Sequence, residues 1–153
     1  MSEEYELGLA MAEDYEDIVS LVLEVPRNDK GLNKKAPTNV FKVREKVLDW
    51  MVHHNTFVYR DEDNKIQGVM LIAYDSPWWS DKGFIYNAVL YVRPEHRSFG
   101  LLKTFIEAGT EYGEIIGHPF AVSFTFVERI DVKEKLIKKL GFKKVGSMFT
   151  LPE

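Results

Sequence analysis

The stretch with the clearest chemical content is NAVLYVRPEHRSFGLLKTF, residues 87–105. A run rich in apolar residues ends at Val92, and a short charged turn follows over 93–99. Apolar residues then recur at Leu101, Leu102, Phe105, Ile106, Gly109 and Tyr112, which is helical spacing. A strand, a loop and a helix start therefore come in immediate succession. The first turn of a helix carries N–H groups with no intrahelical acceptor and the positive end of the dipole, and both suit an anionic phosphate. Gly100 removes the Cβ that would obstruct a ligand nearing the backbone. Arg97 offers a charge-assisted contact or a brace for the loop. The bland alternative is that Gly100 merely opens a helix and Arg97 is a surface charge.

The elements that must position this segment are readable on either side of it. Residues 5–11 (YELGLAM) read as a short first strand. Residues 13–25 read as an amphipathic helix, with Ile18, Leu21, Val22 and Val25 on one stripe, acidic residues in the first turn and Pro26 as its stop. Residues 26–37 are a loop rich in Pro, Gly, Asn and Lys. Thr38 is the expected N-cap of a second helix whose buried stripe is Val40, Val43, Val47 and Met51. TFVYR (56–60) and KIQGVMLIAY (65–74), joined by the turn at 61–64, read as a hairpin. The loop 75–82 leads into the long apolar strand 83–92, whose pattern suggests cover on both faces.

Beyond the third helix (99–116), residues 119–127 read as another buried strand. A fourth helix starts with the capping-box-like sequence at Asp131 and ends at Gly141, the expected left-handed residue. Residues 142–151 read as the last strand, an edge that could pair with a second copy in a homodimer. The order β-α-α-β-β-β-α-β-α-β implies an α/β (α+β) fold: a central mixed, mostly antiparallel sheet flanked by about four helices.

Bulk properties narrow the function. The 153 residues suit one domain spanning 1–153. A hydrophobic content of 45% and a charged content of 29% are those of a globular chain. The formal net charge of -4 argues against a nucleic-acid partner, which usually meets a basic face. The acidic start lacks a signal-peptide pattern and no apolar run approaches a membrane span, so a cytoplasmic protein is expected. The chain has no cysteine, which excludes a thiol nucleophile, a disulfide framework and Cys-ligated zinc. No metal site is expected.

The sequence VRPEHRSFGLLK (92–103) resembles motif A of the GNAT (Gcn5-related N-acetyltransferase) superfamily, V-x-P-x-x-[RQ]-x-x-G-x-[GA]. LIKKLGFKKVG (136–146) resembles the motif B ending around L-G-F. The resemblance covers nearly the whole chain, with 84–146 its specific part. It implies an enzyme that binds acetyl-CoA as cosubstrate and passes the acetyl group directly to an amine of a small molecule or protein. It further implies that the strand around Leu90, Tyr91 and Val92 meets the pantetheine arm. The loop of Arg97, Ser98, Phe99, Gly100, Leu101 and Leu102 would wrap the pyrophosphate, and a backbone N–H near Leu90 would polarise the thioester carbonyl.

The match is incomplete. Leu102 stands where the family has a second small residue, and Ser98 and Phe99 replace the usual Gly and basic residue. Ile137 occupies the position of a tyrosine that protonates the leaving thiolate in many members, and Ile130 that of a frequent Asn. A leaving-group acid would then be Tyr86, Tyr91 or a water, with Ser123 a weaker candidate. A general base for the amine would come from Asp75 or Glu128, each also readable as a solvated carboxylate, while Asn87 could only position a water. Glu95 lies nearby. These departures equally suit a catalytically impaired GNAT-like binding or structural module.

Other residues have ordinary readings beside functional ones. Trp78 and Trp79 could wall an acceptor pocket, although one plugging the core edge is the more common arrangement. His53 and His54 suit a helix C-terminus better than a metal, and His96 suits a solvated turn. The lysines of the fourth helix form a solvated face. Lys30, Lys34 and Lys35 hint at an acidic acceptor or partner.

Overall fold

The structure is a computed structural model that describes residues 5–28, 36–124 and 130–146. Its elements are β1 (Gly8–Leu9), α1 (Tyr15–Asn28), α2 (Val40–His53), β2 (Phe57–Arg60), β3 (Ile66–Asp75), β4 (Phe84–Val92), α3 (Phe99–Ile116), β5 (Phe120–Ala121) and α4 (Ile130–Lys139). Single 3₁₀ turns precede α1 (Ala12–Asp14) and α3 (Pro94–His96). The sheet order is β1-β2-β3-β4-β5. The first four strands run antiparallel, and β5 lies parallel to β4 across the α3 connection. This is the mixed α+β architecture expected from the pattern.

Alternation along the strands sends side chains to two separate cores. On one face Val58, Val69, Leu71 and Tyr91 pack against Ile18, Leu21 and Val22 of α1 and Val47 of α2. On the other, Met70, Ile72 and Ile85 pack against Leu101 and Phe105 of α3. The continuous burial of β3 from Ile66 to Ala73 follows from helices lying on both sides of it. Gly68 and Gly109 allow close approach. A Cβ on Gly109 would stand 2.6 Å from the Phe120 ring.

Several local expectations need correction. Pro26 does not stop α1, which runs to Asn28. It lies in the last turn, where its missing N–H costs one bond and the remaining chain can still coil. The N-cap of α2 is Asn39, whose Oδ1 accepts from the Lys42 N–H at 3.2 Å, rather than Thr38. Val40 is 49% exposed, so the buried stripe of α2 begins only at Val43. The first strand is limited to Gly8–Leu9. The strand expected at 119–127 is a ladder of Phe120 and Ala121 alone; 122–124 follow without pairing, and 125–127 lie outside the described residues. Residues 142–146 form no strand, and 147–151 lie outside the described residues. Gly141 has φ 95°, the left-handed conformation expected after α4.

Candidate functional site

The site begins with a fault in the β3–β4 ladder. From Gly68↔Val92 to Leu71↔Val89 the register is regular; the next pair is Ile72↔Asn87, so Ala88 is an extra residue on β4. Such a bulge reverses the direction in which the following backbone groups point. The Ile85 N–H donates to the Pro119 carbonyl at 3.0 Å, towards β5, and the Arg93 N–H donates to the Gln67 carbonyl at 3.0 Å, towards β3. Both residues are odd-numbered, and an unbroken period of two would send both N–H groups the same way. After the bulge it is the even residues, Leu90 and Val92, that aim their backbone groups away from β3.

They aim towards the β5 side of the sheet. Pairing between β4 and β5 ends at Tyr86↔Ala121. One residue later the Asn87 side chain replaces the backbone ladder. Its Nδ2 donates to the Ser123 carbonyl at 3.0 Å, and its Oδ1 accepts from the Ser123 N–H at 2.8 Å. A side-chain amide is longer than a direct backbone contact, so this bridge holds the strands apart while satisfying both groups of Ser123. Among the described residues the β4–β5 ladder ends there. Asn87, 5% exposed, is thus a spacer and not a solvent-positioning group.

The N-terminus of α3 follows the turn that leaves β4. Ser98 is its N-cap: Oγ accepts from the Leu101 N–H at 3.1 Å and donates to the Tyr5 hydroxyl at 2.8 Å. The Leu102 N–H donates to the Ser98 carbonyl at 3.2 Å. Phe99 and Gly100, at the start of the helix, precede every intrahelical acceptor. Arg97 Nε donates to the Val92 carbonyl at 2.6 Å, and the guanidinium lies 5.4 Å from the Tyr91 ring centroid. Arg97 therefore braces the turn between β4 and α3. Phe99 is 41% exposed and Leu102 is half-buried.

No protein-family model matches the sequence, and neither does any curated protein sequence. Solved structures do match in shape. A possible acetyltransferase from Clostridium difficile 630 superposes with a TM-score of 0.67 at 15% identity, covering 99% of this chain and 98% of that one. AAC(6')-Iy, in complex with the bisubstrate analog CoA-S-monomethyl-acetylneamine, gives 0.73 at 13% identity and 99% coverage of both chains. The aminoglycoside antibiotic 6'-N-acetyltransferase AAC(6')-IG from Acinetobacter haemolyticus gives 0.69 at 10% identity, covering 97% of each. The chain has the GNAT fold.

The other residues singled out in the sequence take definite places in this GNAT framework. Tyr86 is half-buried and turns to the α1/α2 face, because its neighbour Ile85 packs on the α3 side. Cross-strand partners share a face, so Asp75, paired with Phe84, lies on that same side. Asp75 is exposed and its Oδ1 accepts from the Ser76 N–H at 2.8 Å. Tyr91 is only 8% exposed, and its hydroxyl donates to Glu24 Oε1 at 3.2 Å, on the α1 side of the sheet. Ser123 is half-buried and its backbone is held by Asn87. Glu128 lies outside the described residues, as does the side chain of Ile130. Ile137 is 8% exposed. Both tryptophans are on the surface, Trp78 at 92% and Trp79 at 72% exposure, so neither plugs the core edge.

The histidines have structural partners. His53 Nδ1 lies 2.8 Å from the Asp49 carbonyl. The Tyr112 hydroxyl accepts from the Asn55 N–H at 3.3 Å and pairs with His54 Nδ1 at 3.1 Å. Burial holds His54 below the usual imidazole range, with the neighbouring charges of His53 and His118 acting in the same direction. The His96 ring stands 6.1 Å from that of Tyr59.

One part of the site escaped sequence reasoning. Arg93 donates through Nε and Nη2 to Glu24 Oε2, at 2.9 and 2.8 Å, and through Nη1 to Gln67 Oε1 at 3.1 Å. Gln67 Nε2 in turn donates to Asp61 Oδ2 at 2.8 Å. The Glu24 hydrogen bonds, followed by its charge, raise the Arg93 pKa against the opposing effect of burial. This network ties the end of β4 to α1 and to the hairpin, fixing where the turn into α3 starts. Glu24 and Arg93 are 69 residues apart, and no local pattern links them.

Proposed function

We propose that this chain is an N-acetyltransferase that takes the acetyl group of acetyl-CoA directly to an amine of a small molecule or protein. The observation that carries this reading is the β4 bulge, which turns the Leu90 N–H away from β3 shortly before a helix N-terminus. The residues present fit the cosubstrate. The backbone of Leu90 and Val92, directed away from β3, would meet the pantetheine arm, with Tyr91 between them and the Val92 carbonyl held by Arg97. The N–H groups of Phe99 and Gly100, the α3 dipole and the outer nitrogens of Arg97 suit the pyrophosphate. Ser98, Leu101 and Leu102 complete this turn, although their polar groups are largely engaged in its own hydrogen bonds.

The cosubstrate supplies an activated acetyl thioester. The Leu90 N–H donates to the carbonyl oxygen as negative charge gathers there. Tyr86 is the hydroxyl on β4 nearest the bulge that the protein core does not engage, and it serves as proton source for the departing sulfur. Tyr91 keeps its hydroxyl on Glu24 and serves packing. Asp75 lies four strand positions from the bulge, about 13 Å along β4, so it is too distant to act as base. Removal of the ammonium proton falls to Glu128 or to solvent, and Glu128→Gln separates the two.

Titration of acetyl-CoA by calorimetry, with Gly100→Arg as the control, tests the pocket. Saturable binding that the variant loses is expected. A folded protein that binds nothing at millimolar acetyl-CoA overturns the reading. Burial of Ile137 in place of a hydroxyl favours a second reading, a module that binds without turnover. In that case binding is seen and no amine releases thiol.

A further inference from the structure

Helix α2 carries a second apolar stripe, on the side away from its core face. The core face is formed by Val43, Val47, Trp50 and Met51. Leu48 and Val52 follow Phe41 by about two and about three helical turns, so the three share one side of the helix. They are 52%, 69% and 81% exposed in that order. Single apolar residues on a surface are ordinary, whereas three aligned along one helix form a ridge about 16 Å long. Glu45, one turn after Phe41, completes it.

The ridge is complementary to itself. Its positions 41, 45, 48 and 52 advance by four, three and four residues, the seam spacing of paired helices. When the ridge meets its own copy head to tail about a two-fold axis, Phe41 faces the partner subunit's Val52. Leu48 then faces the partner's Glu45, and each contact occurs twice. The charges agree with this arrangement. Lys42, Glu45, Lys46 and Asp49 flank the ridge on one side, and the two-fold axis brings that side against itself. Along the seam the order becomes Lys42, the partner's Asp49, Glu45 and the partner's Lys46, which sums to zero. Asp49 Oδ1 also lies 3.2 Å from His53 Nδ1 of its own helix. On the other flank Arg44 is already paired with Glu16 of α1 at 2.6 Å, so no unmatched charge meets its copy there.

We infer that α2 is a homodimer interface: two copies pair through Phe41, Leu48 and Val52 of antiparallel α2 helices, with Lys42 beside the partner's Asp49. The inference is independent of the acetyl-transfer reading and uses a different surface from the last strand. The apolar ridge and the lysine stems bury on the order of 1,000 Å² over both copies, the low end for a specific pair. The dimer is therefore weak, with a Kd of about 10–100 μM.

Sedimentation equilibrium of the full chain, from about 1 to 500 μM at low salt, tests it. A monomer–dimer equilibrium is expected. Phe41→Ser and Leu48→Ser should each weaken it about tenfold or more. Lys42→Glu and Asp49→Lys should each weaken it about three- to tenfold, because each contact occurs twice. The double variant Lys42→Glu/Asp49→Lys should restore it, since the reversed charges meet each other across the axis. All four positions are exposed, and circular dichroism checks that each variant keeps its helices. A chain that stays monomeric throughout overturns the inference. So does a dimer that Phe41→Ser and Leu48→Ser leave intact, which places the contact on another face. A dimer that the apolar variants weaken but the charge reversals neither weaken nor restore overturns the antiparallel register.

Discussion

Replacing Asn87 tests the geometry on which the site rests. In Asn87→Ala two hydrogen bonds to Ser123 disappear, of 3.0 and 2.8 Å. Each contributes about 0.5–1.5 kcal/mol net, so the loss is about 1–3 kcal/mol. Water can reach half-buried Ser123, which keeps the figure from rising towards the cost of two orphaned groups. For a domain of this size about 2–4 °C of Tm accompany each kcal/mol, so a fall of about 2–12 °C is expected. Asn87→Asp gives a sharper result. Its carboxylate still accepts from the Ser123 N–H but faces the Ser123 carbonyl with no proton to donate. Burial and that carbonyl raise its folded pKa above the unfolded value. The penalty is therefore full above the folded pKa and shrinks as pH falls through it, when the acid can donate again. Thermal unfolding followed by circular dichroism at pH 7 and pH 5 reads both effects, and hydrogen exchange of the Ser123 amide localises them. Because the amide spaces the two strands, acetyl-CoA affinity should fall with it. If Asn87→Ala matches the parent in Tm and in Ser123 exchange, and Asn87→Asp gains nothing on acidification, the bridge does not hold the two strands.

Three other outcomes follow from single contacts. Gly109→Ala drives a methyl to 2.6 Å from the Phe120 ring, and β5 must shift; a loss of about 1–3 kcal/mol in urea unfolding is expected. Ser98→Ala removes the α3 cap and lowers stability by about 0.5–2 kcal/mol, whereas Ser98→Asp keeps the cap but places a carboxylate against an incoming phosphate, so it should fold well and bind acetyl-CoA more weakly, most visibly at low salt. His54 has a folded pKa below its unfolded value, so its contribution is intact above the unfolded pKa of about 6.5 and declines as pH falls towards the folded one; His54→Gln should flatten the pH dependence of Tm in that acidic window.

How much of this was legible in the sequence depended on the range of the interaction. The stripe of α1, the face of α3, the hairpin and the left-handed Gly141 all arise from contacts within a few residues, and the periodicity exposed them. The cap of α2 fell one residue from its expected place because Thr38 and Asn39 are adjacent and chemically equivalent cappers. The exposure of Trp78 and Trp79 was unreadable because aromatic composition says nothing of which side of a loop a ring takes. The break in the β4–β5 ladder after Ala121 was hidden for a physical reason: apolar residues continue past it, but one side-chain amide replaces the backbone pairing. Nothing in the residues around Asn87 signals that it bonds a backbone 36 residues away. The bulge at Ala88 was equally hidden, although the resemblance placed the important N–H at Leu90. The Glu24–Arg93 network was hidden in the same way.

The departures from the motif matter less than their residue types suggest, because the structure shows which backbone donors are still uncommitted. The family's second small residue is replaced by Leu102, whose N–H is already committed to the Ser98 carbonyl. A bulky side chain there narrows the approach to a group that has no hydrogen to offer. Leu101 donates to Ser98 Oγ, an oxygen that a phosphate oxygen can replace without changing the donor geometry. Among the described residues, the donors left at the helix start belong to Phe99 and Gly100, and the one glycine retained from the motif sits at the second of them. Phe99 is exposed, so its ring can swing clear of an anion. Ile137 is a different case. It removes a hydroxyl from the chemistry and leaves the phosphate end intact, so the departures bear on turnover more than on binding. A protein of this construction should therefore hold acetyl-CoA more reliably than it turns it over, and the proton for the departing sulfur depends on Tyr86 or on water.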